Sequence, residues 1–107
     1  MEREIIFSKK VEIYLDKLML LLFEEGYFGF PDSAKLYVDR LISFVEQYIG
    51  ILPGKNAPEF FQRFGRNLKY ITFHANKRTS WYIFYREHNN IYLIRYITNS
   101  HVSAQHF

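Results

Sequence analysis

The hydrophobic positions of the first half of the chain recur with the period of an α-helix. Residues 9–25 and 33–49 each carry an apolar residue at every third or fourth position, the spacing that lines one face of a helix. Ser8 and Asp32 precede the two segments, and both residue types cap helices by accepting free N–H groups of the first turn. Gly50 follows the second segment, where helices commonly end. The pattern predicts two helices that form an antiparallel hairpin.

The second half of the chain changes to the two-residue period of a β-strand. Its apolar segments are rich in Tyr, Phe, Ile and Thr, which favour strands. Polar residues at 76–79 and 87–90 mark turns, and Asn89-Asn90 suits a tight hairpin because Asn tolerates a positive φ. The three predicted strands are 68–75, 80–88 and 91–98. They form an antiparallel meander, which a short strand at residues 3–7 could join at an edge.

The remaining segments are connections. Residues 50–66 are predicted to be a loop because they contain a cluster of Pro, Gly and Asn, and three phenylalanines at its end are expected to fold back as anchors. A tight aromatic connection, 27–31, joins the two helices, and the tail, 101–107, is polar with one terminal aromatic residue. The fold class is therefore α+β, a single domain over 1–107 with the order β-α-α-β-β-β and a helical hairpin on one face of a mainly antiparallel sheet.

Neither face of the predicted sheet is polar. Strand 80–88 alternates Trp81, Ile83 and Tyr85 with Tyr82, Phe84 and Arg86. Regular alternation in strand 91–98 opposes Ile91, Leu93, Arg95 and Ile97 to Tyr92, Ile94, Tyr96 and Thr98. Two helices cover only one face of such a sheet. The other face is predicted to bind a partner, unless the 50–66 loop and the tail cover it.

Charge is unevenly distributed along the chain. The net charge is +3, but residues 1–50 carry six Lys or Arg against nine Asp or Glu, while residues 51–107 carry eight against two. The halves therefore differ in sign, at −3 and +6, which favours an acidic partner or a polyanion at the C-terminal half over an uneven but ordinary solvated surface. The absence of cysteine excludes a disulfide framework and a thiolate metal site.

The cellular compartment is predicted from what the N-terminal half lacks. The first residues are charged and then briefly apolar, without the apolar core and cleavage site of a signal peptide. The most apolar run, 18–23, is too short to cross a bilayer. We therefore expect a cytoplasmic protein that does not enter a membrane.

The last predicted hairpin and the tail resemble those of a known family. Residues 81–86, Trp-Tyr-Ile-Phe-Tyr-Arg, are followed by a polar turn, by Ile-Tyr-Leu-Ile-Arg-Tyr-Ile at 91–97, and by a tail that ends in His106-Phe107. This hairpin, the tail, the chain length and the order of elements are similar to those of RelE/ParE toxins of type II bacterial toxin–antitoxin systems.

The resemblance implies a toxin that arrests growth and is neutralised by a cognate antitoxin, whose C-terminal segment wraps the toxin. RelE-like members cleave mRNA on the ribosome, whereas ParE-like members inhibit DNA gyrase. Either the ribosome with its mRNA or gyrase is then the target, and whether the chain is an enzyme stays open. The residues predicted to contact the antitoxin or the target are Arg78, Trp81, Tyr82, Tyr92 and Tyr96.

A ribonuclease of this kind needs a base for the 2′-hydroxyl, a cation for the phosphate and an acid for the leaving oxygen. The catalytic candidates are His101, Arg86, Arg95, Lys77 and His106. Tyr82 stands where many RelE-like toxins have a phosphate-binding arginine, and His101 where they have a basic residue. These departures put the RelE catalytic set in doubt and leave a histidine-based variant open. Such a reaction needs no metal, and the chain has no phosphate-binding glycine loop, so no cofactor is expected.

Other interpretations of the same residues stay open. Arg86 and Arg95 can serve the fold, and Lys77 and Arg78 can be ordinary exposed charges in a turn. The lack of a full Lys/Arg set slightly favours the ParE-like activity. Outside the family, the alternative is a non-toxic basic nucleic-acid binding module that stacks bases on an aromatic sheet face.

Overall fold

Two α-helices pack against one face of a five-stranded β-sheet in the computed structural model, which describes residues 2–24 and 31–107. The sheet order is β1-β5-β4-β3-β2, with β1 parallel to β5 and the other neighbours antiparallel. The elements are β1 (Glu4–Phe7), α1 (Lys9–Glu24), α2 (Pro31–Tyr48), β2 (Lys55–Asn56), a 3-10 helix (Glu59–Phe64), β3 (Lys69–Asn76), β4 (Thr79–His88), β5 (Ile91–Asn99), α3 (Ser100–Ser103) and a terminal 3-10 helix (Ala104–His106). The α+β class and the edge position of the first strand are confirmed.

The two long helices agree with the predicted helices except at the start of α2. The Ser8 hydroxyl accepts the Val11 N–H at 3.3 Å, as expected of a residue that precedes a helix. The predicted end of the first helix at Glu25 and the connection at 27–30 lie outside the described residues. The helix α2 already includes Pro31 and Asp32, so the prediction of Asp32 as the N-cap is wrong.

A glycine with a left-handed backbone ends α2. Gly50 has a φ of 79°, which permits the chain to turn away from the helix as predicted. A side chain at this position would lie 2.5 Å from the ring of Tyr92 on β5. The close approach lets the end of α2 pack directly on the sheet. The guanidinium of Arg3 donates a hydrogen bond to the carbonyl of Ile49 and ties the start of β1 to the same point.

The main core lies between the helices and the sheet. Trp81 at its centre is 2% exposed, and its indole N–H donates to the Tyr37 hydroxyl at 2.9 Å. This bond satisfies the polar edge of an otherwise apolar ring. The residues buried in this core are Val11, Leu15 and Leu18 of α1, Val38, Leu41 and Val45 of α2, Ile49, which follows α2 in the chain, Ile71 of β3, Trp81, Ile83 and Tyr85 of β4, and Tyr92, Ile94 and Ile97 of β5.

A β-bulge interrupts β5 and changes which of its side chains face the helices. Phe84 pairs with Tyr96, whereas the next residue of β4, Tyr85, pairs with Ile94, so Arg95 has no partner across the ladder. An extra residue in one strand reverses the alternation beyond it. Ile94 and Ile97 therefore share the helix-facing side. The predicted regular alternation along 91–98 is wrong for this reason.

The turns of the meander form as predicted. Asn89 and Asn90 have φ of 49° and 66°, the left-handed pair of a two-residue hairpin whose twist matches that of its strands. At the β3–β4 turn the Arg78 N–H donates to the Asn76 side chain at 2.9 Å. The predicted 50–66 loop instead contains β2, which pairs with the start of β3, and the 3-10 helix. Over the described residues, the structure has no helix that is both long and apolar enough to cross a membrane.

Substitution of two leucines of α2 should lower the stability of the fold by different amounts. Leu41 is 0% exposed and Leu36 is 60% exposed. Leu41→Ala should lower the free energy of unfolding by about 2–5 kcal/mol because it opens a cavity. The control Leu36→Ala should change it by less than about 0.5 kcal/mol. Urea unfolding followed by circular dichroism measures both, and equal effects would contradict the packing described here.

Tyr14 of α1 predicts a loss of stability at alkaline pH. Burial raises the pKa of its hydroxyl to about 12, and the neighbouring hydroxyls of Tyr96 and Tyr37 contribute to the increase. A folded-state pKa above the unfolded value stabilises the protein fully below the unfolded pKa, and this stabilisation is lost as pH rises through the folded pKa. Between about pH 10 and 12 the wild type should lose roughly 1–2 kcal/mol more than Tyr14→Phe, after allowance for partial solvent exposure.

Urea unfolding of both proteins at about pH 9 and about pH 11.5 tests this difference. The phenylalanine variant has no hydroxyl to ionise, so the two pH profiles should diverge only at the higher value. Parallel profiles would show that Tyr14 ionises as freely in the folded chain as in the unfolded one.

Candidate functional site

The second face of the sheet, opposite the helices, is covered by the chain itself. Phe61 is 0% exposed and packs on Phe84 with ring centroids 4.5 Å apart. Phe64 stacks on Tyr96 at 3.9 Å, and the terminal residue Phe107 lies 4.1 Å from Tyr82. The prediction of an uncovered partner-binding face therefore fails over this aromatic area. The alternative, that the 50–66 segment and the tail cover it, describes the structure.

Besides the Phe107 contacts, a hydrogen bond and a ring stack hold the tail over this face. The hydroxyls of Thr98 and Ser103 form a buried hydrogen bond of 2.8 Å, which fixes the start of the tail. The His106 ring stacks on Phe60 at 3.5 Å with an interplanar angle of 3°, and the Arg63 guanidinium lies 4.1 Å from the centre of the Phe60 ring. His106 is thus a packing residue in this conformation, and only a movement of the tail would make it available for catalysis.

Polar side chains gather at the tip of the β3–β4 hairpin. The Thr79 hydroxyl hydrogen-bonds to His101 Nε2 at 2.9 Å, and the Ser80 hydroxyl hydrogen-bonds to His74 Nδ1 at 2.9 Å. The Ser80 N–H donates to the Ser100 hydroxyl at 3.1 Å, which joins the hairpin to α3. Lys77 and Arg78 are exposed in the turn itself. We call this group, His74, Lys77, Arg78, Thr79, Ser80 and His101, the hairpin-tip cluster.

The hairpin-tip cluster lies between two grooves. The helix-side groove, of about 500 Å³, is lined by apolar residues of α1 together with Tyr37, Trp81 and Val102, and Thr79 and His101 form part of its polar rim. The sheet-face groove, of about 530 Å³, is lined by Tyr70, Tyr82, His74, Thr72, Lys55 and Phe107 among others. The two imidazoles of the cluster therefore face different sides of the sheet, one into each groove.

The predicted catalytic residues do not converge on one point. Lys77 and His101 belong to the hairpin-tip cluster, but Arg86 lies towards the other end of β4, where it pairs with Leu93. Arg95 occupies the bulge and its Nε–H donates to the Phe64 carbonyl at 3.2 Å. With His106 in the Phe60 stack, the structure brings together two of the five candidates.

The predicted contact residues separate in the same way. Trp81 and Tyr92 are 2% and 9% exposed on the helix-facing side. A surface partner cannot reach them, so the prediction that they contact the antitoxin or the target is wrong. Tyr82 and Tyr96 are half-buried under Phe107 and Phe64. Arg78 is exposed in the turn, as predicted.

Sequence reasoning missed the hydroxyl partners of the histidines. His74, Thr79 and Ser80 were not among the predicted site residues. A signal for them exists in the strand pairing, since His74 and Ser80 are direct partners across β3 and β4. Direct partners across a ladder lie on the same face, about 5 Å apart, so a histidine opposite a serine is a hydrogen-bonded pair as soon as the register is known.

The chemistry available to the hairpin-tip cluster is that of an anion site. On each side of the sheet it offers one imidazole with its hydroxyl, His101 with Thr79 and His74 with Ser80, and Lys77 and Arg78 are exposed in the turn. Hydrogen-bonding groups and cations of this kind suit a phosphate group. Among the described residues, no group of three or more His, Asp or Glu side chains is placed to hold a metal ion. An imidazole can also give or take a proton near neutral pH.

Comparison with known proteins gives no neighbour: no family model, no curated protein and no solved structure matches this chain.

The covered face predicts that the terminal phenylalanine stabilises the fold. Phe107 contacts the rings of Tyr70, Tyr82, Phe84 and Phe61. Phe107→Ala should lower the free energy of unfolding by about 1–2 kcal/mol and increase binding of a hydrophobic dye to the second face. Val102 of the same tail is 65% exposed, so Val102→Ala should change either property little. Dye binding unchanged by Phe107→Ala would show that the tail does not cover the face in solution.

Proposed function

We propose that this protein is a growth-arresting toxin of a type II toxin–antitoxin pair, with a RelE/ParE-like fold. The observation that carries the proposal is the order of the elements in space. A short N-terminal strand runs parallel to the last strand at the sheet edge, a helical pair covers one face, and a three-stranded meander ends in a tail that folds back onto the other face. This order accompanies the hairpin and the His106-Phe107 ending that resemble the family. A fold-level likeness by itself is weak support for an activity, so the choice between the two activities has to rest on the residues of the site.

The hairpin-tip cluster supports cleavage of mRNA as the way in which the toxin acts. His101 and His74 are each hydrogen-bonded to a hydroxyl of β4, and Lys77 and Arg78 are exposed in the turn that precedes these hydroxyls. Transfer of a proton from a 2′-hydroxyl and stabilisation of the phosphate need these two kinds of group. His101 is the candidate for proton transfer, and the two cations are candidates for holding the phosphate.

Gyrase inhibition is the second candidate, and a different observation favours it. Arg86, Arg95 and His106 lie apart from the hairpin-tip cluster and are engaged in the ladder, the bulge and the tail. A toxin that acts by binding alone needs no convergent acid, base and cation. Such a toxin tolerates the dispersal of these three residues, whereas an efficient nuclease needs its catalytic residues close together.

The non-toxic nucleic-acid binding module has less support. That function needs aromatic rings open to bases on the sheet, whereas the rings of the second face are packed under Phe61, Phe64 and Phe107. Its remaining basis is the positive charge of the C-terminal half.

Induced expression of the chain in a bacterial host tests the proposal. We expect growth arrest with new 5′ ends in ribosome-bound mRNA, detected by primer extension, and normal supercoiling of a reporter plasmid. His101→Ala should reduce the cleavage by about 100-fold or more if it transfers a proton. His88→Ala is the matched control, because His88 is also exposed on the meander but lies at the opposite end of β4.

The other outcomes have separate meanings. Arrest with relaxed plasmid and intact mRNA would move the activity to gyrase. Cleavage that His101→Ala and His88→Ala leave equally intact would remove His101 from the mechanism. Soluble protein without any arrest would overturn the toxin proposal.

A further inference from the structure

Among the described residues, no strand lies beside the second half of β5 on the side of β1. The pairing of β1 with β5 ends at Phe7 opposite Ile94, and the Ser8 N–H donates to the Ile94 carbonyl at 3.0 Å just beyond it. β5 continues to Asn99, and over 95–99 its strand neighbour is β4 on the other side. An edge of this kind presents backbone N–H and C=O groups with which another chain can pair.

A groove of about 340 Å³ follows this free edge. Four consecutive residues of β5, 95–98, line it. Successive side chains of a strand point to opposite faces, so a cavity that touches four residues in a row lies along the edge of the sheet and not on one face. Its walls come from the two layers that cover the sheet, since Tyr14 belongs to the helical layer and Phe64 to the cover of the second face. We call this groove the edge slot.

Positive charge is concentrated at one end of the edge slot. Lys10 in the first turn of α1 and Arg95 at the start of the free edge both line it. The Arg95 Nε–H is occupied by the Phe64 carbonyl at 3.2 Å, which leaves the two terminal nitrogens of the guanidinium to bind a carboxylate. No acidic residue is among the described residues that line the slot, and Glu12 and Asp16 of the same helix line a separate cavity.

An apolar residue marks the other end of the edge slot. Val102 of α3, the helix that follows β5 in the chain, lines the slot and is 65% exposed. The free edge from Arg95 to Asn99 extends over about 13 Å, at roughly 3.3 Å per residue of strand. The slot therefore has the length and the lining for a short extended segment that is acidic at one end and apolar at the other.

We propose that the edge slot binds an extended acidic segment of another protein, which adds to the sheet as a strand beside β5. In strand addition the main-chain hydrogen bonds supply affinity, and alternate side chains of the added segment supply specificity. The acidic side chains of the segment meet Lys10 and Arg95, and an apolar side chain meets Val102. The proposal rests on the free edge and its charges and does not use the proposed toxin activity.

Two other occupants fit the edge slot less well. A second copy of the chain offers β5 as its own free edge, but residues 91–99 contain Arg95 and no acidic residue. Pairing of two copies therefore brings like charges together and places no carboxylate against them. A nucleic acid has the required negative charge, but it has no row of N–H and C=O groups to pair with the edge of a strand.

Titration of the purified full chain with a fluorescent synthetic peptide tests the proposal. The probe is a peptide of about eight residues in which glutamate alternates with valine, which is long enough to span the free edge. A control peptide has lysine in place of glutamate. Fluorescence anisotropy should show that the acidic peptide binds about tenfold tighter than the basic one, or more. Equal affinity for the two peptides, or no binding of either, would overturn the proposal.

Two neighbouring lysines distinguish binding in the slot from general attraction by charge. Lys10→Glu reverses a charge that lines the slot and should weaken binding of the acidic peptide by about tenfold or more. Lys9→Glu is the matched control, because Lys9 is also exposed in the first turn of α1 but does not line the slot. It should change the affinity by less than about threefold. Circular dichroism establishes that both variants are folded, and equal losses of affinity would contradict binding in the slot.

Methylation of the peptide backbone tests strand addition itself. In a paired strand every second N–H is directed at the neighbouring strand, so N-methyl groups on one alternate set of residues should abolish binding, whereas those on the other set should change it by less than about threefold. Binding that tolerates both sets, or that is lost with both, would show that the peptide does not pair with β5.

The two other occupants give different results in the same assays. A single-stranded RNA oligonucleotide that binds more tightly than the acidic peptide, and that Lys10→Glu releases, would assign the slot to nucleic acid. A dimer of the full chain in sedimentation equilibrium that the acidic peptide dissociates would assign the edge to a second copy. Either result would overturn the proposal, whether or not the chain arrests growth.

Discussion

The single unpaired residue in β5 is the constraint on which the rest of the sheet depends. β5 lies between the parallel edge strand β1 and the long antiparallel strand β4. Without the bulge at Arg95, either Ile94 or Ile97 would turn away from the helices, and the core would lose one of its buried side chains. With the bulge, both point to the helices and the Arg95 guanidinium is free to hold the backbone of Phe64. One extra residue thus connects the core to the segment that covers the second face.

A sheet that is apolar on both faces needs a cover on each, and this chain supplies the second one from short pieces. The 3-10 helix Glu59–Phe64 and the seven-residue stretch from His101 to Phe107 are together too small to form a layer of helices. They cover the sheet with rings instead, because one aromatic side chain buries as much surface as several small residues. The C-terminal residues are therefore part of the fold, and the His106 ring is occupied in packing on Phe60.

The sequence predicted those parts of the molecule in which a periodic pattern is long. α1, α2 and the three long strands each extend over enough residues for the period of their apolar positions to be unambiguous. The errors lie at single positions. Asp32 is a residue typical of a helix N-cap, and only the structure shows that it already lies inside the helix. Arg95 fits either face of a strand on composition alone, so no pattern could reveal that it belongs to neither. The sheet cover stayed one of two alternatives because ring stacking between distant segments leaves no local signal.

The candidate site shows that a residue can be found from sequence when its element is predicted correctly. Its hydrogen-bond partners can be found only when the strand register is known. Lys77, Arg78 and His101 could be found from sequence because the turn and the end of β5 were predicted correctly. The hydroxyl partners Thr79 and Ser80 needed the register of two strand pairs. The register also shows that the two histidines belong to different surfaces: His101 lines the helix-side groove, and His74 lines the sheet-face groove on the far side of the sheet. A phosphate-sized group bound in one groove would therefore meet one imidazole and its hydroxyl, Thr79 with His101 or Ser80 with His74.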